Sequence, residues 1–93
     1  MYATSIDFVS GHNGTTQRTG VWHVQQNTVN PITTSGSGDL SRFKIQVYCD
    51  TTGAVSKAPV FGFGEGFTAG DTITIPQELL GNEISGENLV ISV

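Results

Sequence analysis

The chain has 93 residues, 13% of them charged, with 4 Lys and Arg against 8 Asp and Glu for a formal net charge of −4. Charge is about half the ~25% usual for globular chains, and 12 Thr, 8 Ser, 5 Asn, 5 Gln and 12 Gly take its place. These figures exclude a coiled coil, a membrane-crossing helix of ~18 apolar residues, a disulfide-stapled miniprotein (Cys49 is the lone cysteine) and, by the sign of the charge, a phosphate-binding nucleic-acid protein.

What remains is one small β domain. Val, Ile and Thr together number 28, whereas Leu and Ala reach only 8. Branched side chains are stiff and fit a pleated, half-buried surface. The opening Met1-Tyr2-Ala3-Thr4-Ser5 has neither the basic start nor the apolar stretch of a secretory signal, so synthesis in a cytoplasm is expected.

The first expected strand covers residues 2–9, where Ile6 and Phe8 alternate with Asp7 and Val9. A long Gly-rich loop, 10–20, follows, and a loop of that length suggests an arm that reaches onto a neighbouring subunit. Residues 21–25 read as the next strand, with 29–33 extending it past Pro31. Thr34-Ser35-Gly36-Ser37-Gly38 reads as flexible punctuation. Residues 42–48 give the cleanest alternation: Phe43, Ile45 and Val47 face one side, and Arg42, Lys44, Gln46 and Tyr48 the other. Asp50 and Gly53 supply a turn, and 54–61 closes a hairpin interrupted by Pro59. Gly62-Phe63-Gly64-Glu65-Gly66-Phe67 alternates glycine with aromatic and acidic residues. Gly70 and Asp71 turn the chain into a strand at 72–75, Pro76 stops it, 77–81 makes one helical turn ended by Gly81, and 89–93 is the last strand. The expected fold is all-β: a small antiparallel sandwich or meander of about six short strands with an extended N-terminal segment. Residues 1–19 form the arm and loop, and 20–93 a single β domain.

The pieces Thr34-Ser35-Gly36-Ser37-Gly38, residues 42–48, Thr52-Gly53-Ala54-Val55, Gly64-Glu65-Gly66-Phe67, Gly70-Asp71-Thr72-Ile73-Thr74-Ile75-Pro76, Leu80-Gly81 and Asn88-Leu89-Val90-Ile91-Ser92-Val93 occur in an order that resembles a β-rich module of structural proteins of marine tailed phages, cyanophages especially. Gly20-Val21-Trp22 matches the module's opening aromatic, so the resemblance covers about residues 20–93. Such modules are repeated within long tail or fibre proteins. A single copy starting with its own Met implies instead a free-standing accessory piece of a virion.

Several residues are weighed for chemistry. Asp71 is read as a turn carboxylate, with calcium binding alongside Glu65 as the alternative; calcium needs six to eight oxygens. Phe61, Phe63 and Phe67 are divided between core plugs and a docking patch, because a small domain leaves apolar groups at its surface. Trp22 is read as core with its N–H at the rim, and Tyr48 as an aromatic on the polar face. These five aromatics are the candidate interface. His12 and His23 lack neighbours at metal-ligand spacing. A Cys49–His23 nucleophile pair lacks any surrounding signature. Glu78, Glu83 and Glu87 read as solvating charge. No catalytic, cofactor or metal site is expected. Terminal strands with few Lys leave edges open to pairing, so a homo-oligomer is expected.

The expected function is a non-enzymatic phage virion accessory protein. Capsid decoration or cementing is favoured, with contacts to major capsid proteins; attachment to tail proteins, or a glycan- or host-surface-binding module, are the alternatives. Neither nucleic acid nor membrane is an expected partner.

Overall fold

Stiff, branched side chains alternating with Thr, Ser and Gln dictate short strands with one apolar face, and the computed structural model has this form over the residues it describes, 6–13, 19–62, 64–80 and 88–93. The strands are β1 (Asp7–Ser10), β2 (Gly20–Gln25), β3 (Thr33–Thr34), β4 (Lys44–Cys49), β5 (Val55–Lys57), β6 (Val60–Gly62), β7 (Thr72–Ile75) and β8 (Leu89–Ser92), with a 3-10 turn at Gln77–Leu80. The expectations for residues 1–5, 14–18, Phe63 and 81–87, including Gly81, Glu83 and Glu87, lie outside the described residues. No helix among the described residues is long and apolar enough to cross a membrane.

The protein is all-β, with two antiparallel sheets. Sheet A runs β1-β8-β7-β3; in sheet B, β4 is flanked by β2 on one side and by β5 and β6 in succession on the other. The two sheets bury one shared core. Ile73 and Ile75 of β7 pair with Ile91 and Leu89 of β8. Val24 and Trp22 of β2 pair with Ile45 and Val47 of β4. Phe43, Ile32, Leu40, Phe67 and Leu80 fill the space between. Each fully buried aliphatic or aromatic side chain of this kind contributes roughly 1.5–3 kcal/mol.

Among the described residues eight strands stand where about six are expected, for two reasons. The 54–61 strand breaks at Ala58-Pro59 into β5 and β6, and Thr33–Thr34 crosses over to pair with β7. Residues 26–32 do not extend β2: the Gln26 side chain binds the Ile32 backbone, and Asn27 Oδ1 accepts from the Asn30 N–H (2.7 Å). Gln26 Nε2 donates to the Ile32 carbonyl (2.8 Å), and its Oε1 accepts from the Ile32 N–H (2.8 Å). A side chain offering the backbone an alternative partner competes directly with strand extension.

The segment expected as flexible punctuation is docked. Ser35 N–H donates to the Thr72 carbonyl (3.0 Å), and the Thr72 N–H donates to Ser35 Oγ (3.0 Å). The N-terminal strand is likewise held in cis: β1 pairs with β8, Asp7 opposite Ser92 and Phe8 opposite Ile91. It does lie in a different sheet from β2, as the long loop suggests, but its partner is the chain's own β8. Just beyond it, His12 stacks on Phe8 (centroids 5.3 Å apart) and its carbonyl accepts from Val55 N–H (2.8 Å), which ties sheet A to sheet B.

Both expected turns are present. Asp50 Oδ1 accepts from Thr52 N–H (2.8 Å), Thr52 Oγ1 (2.6 Å) and Ala54 N–H (3.2 Å), and Gly53 has φ 82°. Asp71 Oδ2 accepts from Thr68 N–H (2.8 Å) beside Gly70, φ 93°. The Gly-aromatic corner has an internal cause: Asp39 bridges to Glu65, and a Cβ on Gly64 would sit 2.3 Å from the Asp39 carbonyl oxygen.

Candidate functional site on the outer face of sheet B

The register of β2 against β4 decides which side chains share a face. Val21, His23 and Gln25 stand opposite Tyr48, Gln46 and Lys44. Their neighbours Trp22, Val24, Ile45, Val47 and Cys49 turn inward. Lys57 of β5 stands opposite Tyr48, and its Nζ lies 4.5 Å from the centre of that ring, a cation–π contact of about 0.5–1 kcal/mol at an exposed site. The outward positions of β2, β4 and β5 thus carry amide, imidazole, phenol and ammonium groups, with no carboxylate among them, although the whole chain is net −4.

Phe61 reaches this face through a bulge. Ile45 pairs with Val60 and Lys44 with Gly62, so Phe61 is an extra residue between two ladder positions. Counted from the Lys44–Gly62 pair, Phe61 would stand opposite the inward Ile45; the bulge puts Val60 there and leaves Phe61 on the outer side. Val60 accordingly packs against the core while the adjacent Phe61 is 61% exposed. Gly62 is required where the strands meet again: a Cβ there would lie 2.2 Å from the Arg42 carbonyl oxygen. A second shift, between Tyr48 and Cys49, leaves Ser56 as the extra residue, and its Oγ donates to the Tyr48 carbonyl (3.2 Å).

Between these walls lies an open groove of about 300 Å³, lined by His23, Gln25, Lys44, Gln46 and Phe61 with Val24 and Ile45 beneath. Its polar side is organised. Tyr48 Oη donates to Gln46 Oε1 (3.0 Å), and Gln46 Nε2 donates to His23 Nδ1 (3.1 Å).

The five candidate interface aromatics separate clearly. Tyr48 is half-buried on the outer face and Phe61 is exposed beside it. Phe67, 3% exposed, is a core plug. Trp22 is half-buried and packs against the core from the inner face, which removes it as a partner for Tyr48. Phe63 lies outside the described residues. Cys49 is buried on the inner face and His23 is exposed on the outer one, so the sheet itself separates that pair. The Asp71 carboxylate serves its turn and abuts Gly36, which accounts for it without a metal. Among the described residues, no three His, Cys, Asp or Glu side chains form a group that could hold a metal ion.

Sequence reading missed His23, Gln25 and Gln46 as a set and did not single out Phe61 from the other two rings. One signal was present. Ser56-Lys57 places two polar residues side by side, and such a break in period 2 is the written trace of a bulge.

Two turn carboxyls have explained environments. The Thr52 hydroxyl, then its N–H, hold the Asp50 carboxyl below its usual range; the Ser41 N–H, then its hydroxyl, do the same for Asp39. Both belong to turns that flank β4 and not to the groove. No family model matches the chain, and no curated protein or solved structure matches it either.

Proposed function

We propose that the protein is a non-enzymatic structural piece of a larger assembly, and that the assembly is the virion of a tailed phage. Capsid decoration is the favoured position and tail association the second. The setting rests on the resemblance of residues 20–93 to marine-phage virion modules. The observation that supports docking over chemistry is Phe61, a large apolar side chain that a bulge lifts to 61% exposure beside a groove. Full burial of a side chain of this size is worth roughly 1.5–3 kcal/mol, and a partner surface recovers the share that the exposed part of the ring leaves in water.

Edge pairing becomes the lesser contribution. β1, the outer strand of sheet A, is four residues long and is itself bulged at Val9. Shortness and bulging are two of the ways sheets blunt their edges. Val9 is 51% exposed and offers a second apolar contact on the other sheet. Sedimentation of the purified protein with and without phage particles tests this reading. Saturable, stoichiometric binding that Phe61→Ala weakens is expected; an inert monomer that ignores particles overturns it.

A further inference from the structure

We propose that the groove beside Phe61 binds a carboxylate-bearing sugar unit. This inference rests on the outer face of sheet B being a binding face, and not on the virion setting. The Gln46 amide lies between two partners, with Oε1 at the Tyr48 hydroxyl (3.0 Å) and Nε2 at His23 Nδ1 (3.1 Å). In this arrangement the Gln46 amide N–H donates to His23 Nδ1. An imidazole that accepts at Nδ1 turns its N–H, on Nε2, toward the groove.

The groove therefore presents His23 Nε2–H, the second N–H of Gln46, the Lys44 ammonium and the Gln25 amide. Donors outnumber acceptors, and the outward strand positions hold no carboxylate to neutralise Lys44. Such a surface selects an acceptor-rich, negatively charged ligand. A single ammonium lines the groove, since Lys57 lies over the Tyr48 ring. One cation matches a carboxylate better than a phosphate group, which carries about −1.5 to −2. Phe61 adds a flat apolar wall that suits the C–H face of a sugar ring. The groove's 300 Å³ stands at the small end of the ~300–1,000 Å³ range of ligand sites.

The test is an NMR titration of the full chain with trigalacturonate, its fully methyl-esterified form and hexaglutamate. Saturable shifts at residues 23, 25, 44, 46 and 61 are expected with trigalacturonate alone. Phe61→Ala and Lys44→Gln should each weaken binding about tenfold or more, and Phe61→Tyr should retain it. Both positions are exposed, and an unchanged urea midpoint confirms the fold of each variant. No saturable binding, equal binding of the methyl ester, equal binding of hexaglutamate, or indifference to Phe61→Ala overturns the proposal. Particles bound through Phe61 by a protein that ignores trigalacturonate would leave docking standing and sink the sugar site. Trigalacturonate binding without particle binding would do the reverse.

Discussion

The two sides of β4 are built differently. Toward β2 the ladder is unbroken, from Gly20 opposite Cys49 to Gln25 opposite Lys44. Toward β5 and β6 it shifts twice, and each shift leaves one residue outside the alternation. On the regular side every side chain obeys the period of two, so β2 divides core from solvent and turns His23 and Gln25 to the groove. On the irregular side the shift gives the inward place opposite Ile45 to Val60 and leaves Phe61 at the surface. The irregular side adds what the regular side lacks, the Phe61 wall of the groove.

Breaking the shared inner face should have the largest effect. Phe43 has no exposed surface, and Phe43→Ala is expected to cost about 3–5 kcal/mol, a large part of the ~5–15 kcal/mol total of a small domain. Urea unfolding followed by tryptophan fluorescence checks this, and a midpoint close to wild type would contradict the shared-core description. Gly62→Ala attacks the irregular side alone. Its Cβ would collide with the Arg42 carbonyl oxygen and the Lys44 nitrogen, an overpacking cost of about 1–3 kcal/mol. Faster amide exchange confined to residues 60–62, with β2 protection unchanged, is the expected pattern.

The Asp50 turn gives a smaller, pH-dependent effect. Its carboxyl is held below the unfolded value by Thr52. A depressed folded-state pKa stabilises the protein above the unfolded value near about pH 4, and this contribution is lost as the pH falls through the folded-state value. Asp50→Asn should therefore lower stability modestly near neutrality and flatten the acid limb. Urea midpoints measured between about pH 6 and about pH 3 read both. Phe61→Ala should have the smallest effect on folding, within about 0.5 kcal/mol as for other surface sites. If it instead destabilises the protein like a core substitution, Phe61 belongs to the packing and the contrast between the two sides collapses.

Some of this organisation was written locally. The alternation in 42–48 marks β4 and its inward face, and the chemistry of Asp50, Gly53, Gly70 and Asp71 marks two turns, because both depend on neighbours within a few residues. The placement of 26–32 was not legible, since it depends on Gln26 reaching Ile32 six positions on. Nor was β3, two residues long and defined only by its partner β7. The groove needed both kinds of information. Lys44, Gln46 and Tyr48 were on one face by pattern, but bringing His23 and Phe61 alongside required the register of three strands.

The pairing of β1 with β8 bears on the order of folding. Asp7 meets Ser92, and β8 stands between β1 and β7. Sheet A therefore cannot close while residues 89–92 are still being synthesised, whereas every strand of sheet B is complete by Gly62. During synthesis the apolar faces of β1 and β7 wait for their common neighbour. Pairings of such separation fold on the order of milliseconds to seconds, and the β4-centred sheet is the part available earlier as a template. A chain stalled before residue 89 would expose the inner faces of Ile73 and Ile75, which makes its last short strand the step that guards against aggregation.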